Sequence, residues 1–171
     1  MIDIPKDIHL GKGLLEKELP WFAPGAIIWL DEHLTKDMTV LEFGAGGSTP
    51  FFARRCKYLH TIEASGEWIS MVNNYLAKNS IKNVSIGKII PGYKLLAPSY
   101  SDVVLIDSPI RSNFESRESI LEKIIPVKPK IIIVDDFARL NIPEEIPGYY
   151  TIRFLDSRWK GKGVQIYVLS E

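Results

Sequence analysis

The chain reads as an α/β protein: an open, doubly wound, mostly parallel seven-stranded sheet that ends in an antiparallel C-terminal hairpin strand. Three observations predict this. Apolar runs at 39–43, 58–63, 84–86 (with room to extend to Ile90), 101–107 and 131–136 alternate with helix-like segments, the pattern of a parallel sheet covered on both faces. The runs Val103–Ile106 and Ile131–Val134 are continuously apolar, as central strands buried on both sides are. The last two runs, at 149–155 and 164–169, have only a polar loop between them and read as a hairpin.

The elements follow in order. Residues 1–38 form a helical lead-in and 39–171 the sheet core of one domain. Leu14 to Leu19 reads as a short helix ended by Pro20. From Ala26 to Leu34, Ile27, Ile28, Leu30 and Leu34 recur at helical spacing and face the sheet. The stretch Thr39 to Thr49 then runs from a buried strand through Gly44, Gly46 and Gly47 into a helix over 49–56. Ser48 and Thr49 suit its cap, and Pro50 suits its first turn, where a missing N–H costs nothing. The second strand ends in Glu63, and a helix over 66–79 presents Trp68, Ile69, Val72, Tyr75 and Leu76 on one face before Asn79-Ser80 closes it. Pro91-Gly92 turns the chain. A helix over 113–125 points Ile120, Leu121, Ile124 and Ile125 inward, and 138–148 reads as a loop with at most a short helix.

Composition narrows the function. At 171 residues and 46% hydrophobic, the chain is long and apolar enough to bury one full core. Lys plus Arg number 21 and Asp plus Glu number 21, so overall charge gives no pull toward nucleic acid or an anionic membrane. Cys56 is the single cysteine, so no disulfide forms within the chain, and a packed core thiol is expected. The N-terminus, with Asp3, Lys6 and Asp7, does not read as a signal peptide, and no apolar stretch approaches the ~20 residues of a membrane span. A cytoplasmic location is expected.

Ligands of such sheets sit outside the carboxyl ends of the strands. Glu63, Asp107, Asp135 and Asp136 all fall there, beside the glycine turn. Glu63 stands about 20 residues after Gly44, where a carboxylate can accept from both hydroxyls of a ribose. A dinucleotide fingerprint is matched by Gly44 and Gly46 but has Thr49 in its third position. Each acid has a structural alternative: a helix cap, or a salt bridge to Arg111 or Arg139. His9, His33 and His60 are scattered without ligand spacing.

From Pro20 to Leu169 the sequence resembles the class I S-adenosylmethionine-dependent methyltransferases. Val40-Leu41-Glu42-Phe43-Gly44-Ala45-Gly46 is similar to their first motif, Glu63 to their ribose-binding acid, and Asp102 to Asp107 to their fourth motif. The strand–loop–strand ending looks like their reversed final strand. A narrower resemblance, through Pro20-Trp21-Phe22 and Phe52-Ala53-Arg54-Arg55, is to small bacterial members tied to glycan or sugar modification.

The resemblance implies S-adenosyl-L-methionine as cofactor and S-adenosyl-L-homocysteine as product. Glu42, Phe43, Gly44, Ala45 and Gly46 would wrap the methionine portion, with Ser48 and Thr49 holding its carboxylate. Glu63 would take the ribose, with Ala64 and Ser65 beside it, and Gly87 and Lys88 would approach the adenine. Asp107 would sit where cofactor meets acceptor and is the first candidate for general base, followed by Asp135 and Asp136. Asp107-Ser108-Pro109-Ile110 lacks the first proline and the aromatic of the base-directed amino methyltransferases, so a nucleic-acid partner is not expected. Metal-dependent members place acids much as Asp107, Asp135 and Asp136 stand, and clustered carboxylates suit magnesium or calcium. A metal is the less favoured of the two readings.

The implied activity is O-methylation of a small molecule or sugar. The alternatives are RNA or protein methylation through a partner that supplies recognition, a non-catalytic cofactor-binding subunit, and a dinucleotide-dependent oxidoreductase. A homo-oligomer or protein partner is compatible with so small a core. Trp21, Phe22 and Trp159 are candidate walls of an acceptor pocket, and Arg158, Lys160 and Lys162 candidate phosphate contacts.

Overall fold

A computed structural model of the chain describes residues 2–89, 101–108, 115–158 and 163–170. Seven strands form one sheet: β1 (Thr39–Phe43), β2 (Tyr58–Glu63), β3 (Val84–Lys88), β4 (Val103–Ile106), β5 (Ile131–Asp135), β6 (Tyr149–Leu155) and β7 (Gly163–Leu169). Their order is β3-β2-β1-β4-β5-β7-β6. β1 to β5 pair in parallel, while β7 runs antiparallel to both β5 and β6, as the hairpin reading requires. The helices are α1 (Pro24–His33), α2 (Ser48–Ala53), α3 (Gly66–Lys78) and α4 (Arg117–Ile124).

Alternation along the strands divides two cores, because successive side chains point to opposite faces. Val40, Val103, Leu105, Ile131 and Ile133 share one face with Ala26, Ile27 and Leu30 of α1 and Phe51 and Phe52 of α2. Leu41, Phe43, Val104, Ile106, Ile132 and Val134 share the other with Ile120, Leu121 and Ile124 of α4. Gly25 lets α1 approach the sheet closely: a Cβ there would lie 2.9 Å from Phe154 Cδ1.

Several expectations need correction. Residues 12–18 form successive turns, not a helix, and the turns end at Glu18 in a left-handed conformation (φ 52°) before Pro20 is reached. A single 3-10 turn instead covers Ile8–Leu10. Ile28 and Trp68 fall on the exposed sides of α1 and α3, at 41% and 44% exposure. α2 ends at Ala53, so Cys56 lies beyond it; it is still a buried thiol, pushed up to about 11 by burial. α4 gives way to a 3-10 turn at Ile125–Val127, where the residues following the Ile-Pro bond cannot all keep helical pairing. The turn at Pro91-Gly92, the Pro109-Ile110 pair, Arg111, Trp159, Lys160 and Lys162 lie outside the described residues. No helix among the described residues is long and apolar enough to cross a membrane.

Candidate functional site

Register brings the predicted residues to one edge. Phe43 pairs with Ile62 and Ile106, and Ile106 with Val134, so Gly44, Glu63, Asp107 and Asp135 follow in adjacent rows. Their backbones are tied: Gly44 N–H donates to Ile62 O at 2.9 Å and Asp107 N–H to Phe43 O at 2.9 Å.

The three glycines of the loop have three different reasons. Gly44 adopts φ +99°, and a Cβ there would stand 2.6 Å from the Asp107 carbonyl oxygen. Gly47 carries the N-terminal segment: its Cβ would lie 2.2 Å from Leu19 O and 2.6 Å from Leu14 O. Gly46 alone of the three would place a Cβ in open space. Of the three, Gly46 alone faces unfilled space, whereas Gly44 and Gly47 are required by the backbone packed against them.

That open space is a cavity of about 340 Å³. Ala45, Gly46, Gly47, Ser48 and Asp107 line it on the sheet side. Leu14, Leu15, Glu16 and Trp21 close it from the N-terminal segment, and Trp68 and Met71 from α3. Trp21 is held in place, its Nε1–H donating to His9 O at 3.3 Å and its ring lying against Gly11, where a Cβ would come within 2.8 Å. Trp21, Trp68 and Met71 remain 41–44% exposed. Phe22 belongs to the core and is fully buried.

Glu42 lies beneath the loop rather than in the cavity. It shares the α2 face of β1 and is fully buried. Ser48 Oγ donates to Glu42 Oε1 at 2.5 Å, and Thr49 Oγ1 and Thr61 Oγ1 donate to Oε2 at 2.9 and 2.7 Å. This corrects the capping role read for Ser48 and Thr49: α2 has Gly47 at its cap with no side-chain cap bond, and both hydroxyls turn inward. Burial pushes the Glu42 carboxyl up to about 7, against the pull of the three hydroxyls. Glu42 thus ties β1, β2 and the start of α2 together and fixes the loop between them.

Glu63 is also satisfied from within. Its Oε2 accepts from Ala45 N–H at 2.8 Å and its Oε1 from Ser65 N–H at 2.7 Å, and the residue is 4% exposed. Each oxygen keeps a second lone pair, so ribose hydroxyls would add to these bonds rather than replace them. Ser65 in turn caps α3, accepting from Trp68 N–H at 3.3 Å.

The edge of β4 and β5 is organised by a residue that sequence reasoning missed, Arg117, the first residue of α4. It is 5% exposed, yet charged. Its Nε donates to Ser108 O at 2.7 Å, Nη1 to Asp135 O at 2.6 Å, and Nη2 to Asp107 Oδ1 at 3.0 Å. Nη1 also lies 3.9 Å from Asp135 Oδ2. Of the two arginines anticipated as partners of these acids, Arg139 reaches Asp136 at 3.8 Å and Arg111 lies outside the described residues; the pairing of Asp107 and Asp135 with Arg117 was not anticipated. The available signal was an arginine behind a helix-capping serine, Ser116, facing a sheet edge rich in acids. Among the three acids Asp107 lines the cavity, with its side chain 29% exposed, whereas Asp135 and Asp136 are buried. No three His, Cys, Asp or Glu among the described residues come together as a metal-holding group.

No protein-family model matches the chain, and no curated protein matches it in sequence. Solved structures do. An O-methyltransferase, provisionally assigned, from Klebsiella pneumoniae is 14% identical with TM-score 0.63, covering 100% of this chain and 93% of that one. A provisionally assigned methyltransferase from Streptococcus mutans, in complex with SAH, is 10% identical with TM-score 0.59, covering 84% and 95%. A dimethyladenosine transferase from Plasmodium falciparum is 15% identical with TM-score 0.60, and the 87% of this chain that matches spans 62% of its length. The antiparallel β7 between β5 and β6 departs from the all-parallel 3-2-1-4-5-6 order of dinucleotide-binding sheets. The chain has the Rossmann-like methyltransferase fold, a seven-stranded mixed sheet with a reversed C-terminal strand.

Proposed function

We propose that the chain is an S-adenosylmethionine-dependent methyltransferase acting on an oxygen of a small molecule or sugar. The observation that carries the reading is Gly46, whose missing side chain opens onto a cavity floored by the glycine loop and bordered by Asp107. The SAH-bound Streptococcus mutans protein of the same fold supports the choice of cofactor. When bound, S-adenosylmethionine supplies an activated methyl group, and the protein's work is alignment and exclusion of water. The Glu42 knot fixes the loop that would hold the methionine end, and Glu63, bonded to the Ala45 N–H of that loop, would take the ribose.

A hydroxyl acceptor must lose its proton, and Asp107 would take it, a role supported by its position in the cavity wall. Arg117 holds Asp107 Oδ1, which orients the carboxylate at the cavity floor. Trp21, Trp68 and Met71 give the cavity flat apolar walls suited to a ring face, aromatic or sugar.

Calorimetry with SAH and with NAD tests the reading. SAH binding that is lost in Gly46→Arg, with the folded sheet retained by circular dichroism, supports it. Undiminished SAH binding in that variant, or preference for NAD, overturns it.

A further inference from the structure

Ser48 and Thr49 both donate to the buried Glu42 carboxylate, but they differ in what else they meet. Thr49 is fully buried, and its Oγ1 also accepts from Gly46 N–H at 3.1 Å. Ser48 lines the cavity. The two carboxylate oxygens are unequally served. Oε2 accepts from Thr49 and Thr61, whereas Oε1 accepts from Ser48 alone among the described residues.

A hydroxyl has one proton and two lone pairs. While Glu42 is ionised, the Ser48 proton is directed at Oε1, and Ser48 offers a cavity ligand only a lone pair. A proton taken up by Glu42 belongs on Oε1, the oxygen with the single donor, and it reverses that bond. Oε1–H then donates to Ser48 Oγ, and Ser48 can donate into the cavity. The Thr49 and Thr61 bonds to Oε2 stay as they are, so the loop keeps its shape through the reversal. The ionisable groups around Glu42 are Asp107 past the end of β4, Glu63 at the end of β2 and the Cys56 thiol past α2, with Arg117 paired to Asp107. α1 brings the apolar Ala26, Ile27 and Leu30 to this face.

We propose that Glu42 is a positioning residue that acts on the ligand through Ser48. Its proton decides whether Ser48 offers the cavity a donor or an acceptor, and a carboxylate-bearing ligand is held with Ser48 donating and Glu42 neutral. This rests on the methyltransferase reading, which sets the carboxylate of the cofactor's methionine end against Ser48. Binding then draws a proton from solution onto Glu42, so affinity falls as pH rises through the range in which Glu42 ionises.

Titration calorimetry of the full chain with SAH at pH 6, 7 and 8 tests this. The free carboxyl sits at about 7. A preference of about tenfold for the protonated carboxyl in the bound state makes wild-type affinity about 5-fold weaker at pH 8 than at pH 6. Titrations at pH 7 in two buffers of different ionisation enthalpy should find about 0.4 proton taken up per SAH bound. In Glu42→Gln the amide carbonyl replaces Oε2 and the amide N–H faces Ser48 at every pH. Its affinity should vary by less than ~2-fold over this range and exceed that of the wild type at pH 8. Ser48→Ala removes the relay and should flatten the profile to less than ~2-fold without that gain. The proposal fails if wild-type affinity is flat or rises with pH, or if no proton is taken up. It fails equally if Ser48→Ala keeps the wild-type slope, or if Glu42→Gln binds no tighter than the wild type at pH 8. Should Glu42→Gln not fold, the wild-type proton count and the Ser48→Ala slope decide. A wild type that binds no SAH at any of these pH values overturns the methyltransferase reading and this proposal together, whereas SAH binding without proton uptake overturns the proposal alone.

Discussion

Two groups of acids share the carboxyl edge of the sheet, and they are satisfied in opposite ways. Under the glycine loop, Glu42 accepts from three hydroxyls and Glu63 from two backbone N–H groups. At the ends of β4 and β5, Asp107, Asp135 and Asp136 face guanidinium groups. Neutral donors favour the ionised form without cancelling its charge, so burial still dominates at Glu42 and pushes it up to about 7. Guanidinium groups cancel charge outright. Glu42, on the loop side of the edge, is therefore held by geometry and should respond to pH. The β4–β5 side is held by charge and should respond to the loss of a partner.

The largest effect is expected from Glu42→Ala. It empties a fully buried site and leaves the hydroxyls of Ser48, Thr49 and Thr61 without their acceptor. Cavity and orphaned donors together should cost about 3–5 kcal/mol in urea unfolding. A loss below about 1 kcal/mol, the scale of an ordinary surface change, would break the claim that this carboxylate organises the loop.

Glu42→Gln sharpens the comparison through pH. The folded carboxyl sits at about 7 against an ordinary 4.5, so its contribution to stability is fully present below pH 4.5 and is lost as pH rises through 7. Relative to Glu42→Gln, the wild type should lose up to about 3 kcal/mol between pH 5 and 8, from the 1.36 kcal/mol that each pKa unit is worth. Parallel pH profiles for the two proteins would show that Glu42 titrates normally and that geometry outweighs burial there.

The glycines permit a smaller test. Gly47→Ala drives a Cβ into the carbonyls of Leu19 and Leu14, both backbone atoms, and should cost about 1–3 kcal/mol of overpacking. Gly46→Ala meets nothing within 4 Å and should stay within about 0.5 kcal/mol of the wild type. Equal costs for the two would erase the division between a glycine that seats the N-terminal segment and one that faces the cavity.

These residues also mark what the sequence made legible. The apolar run of β1 and the continuous runs of β4 and β5 announce buried strands directly, and the backbone then fixes which of their side chains share a face. The acids at strand ends are legible for the same reason. Their partners are not. Arg117 reaches Asp107 and Asp135 from ten and eighteen residues away, across a loop whose course no local pattern encodes. The division among Gly44, Gly46 and Gly47 is equally hidden, since it depends on where Leu14 and Leu19 pass in space. Leu14 to Leu19 has helical spacing, but Glu18 turns left-handed, ending its turns before Pro20.

The smallest effect concerns a charge pair on the loop side. Arg54 donates to both oxygens of Glu18 at 3.1 and 3.0 Å, joining α2 to the N-terminal segment, and the Tyr75 hydroxyl donates to the same carboxylate at 3.3 Å. Arg54 is 47% exposed, so water already screens the pair. Arg54→Ala should cost about 0.2–1 kcal/mol, and less in high salt. The segment is seated instead by Phe22 and Leu19 in the core and by the close approach to Gly47. A cost above about 2 kcal/mol, or a loss of SAH affinity in Arg54→Ala, would mean that charge rather than packing seats this wall of the cavity.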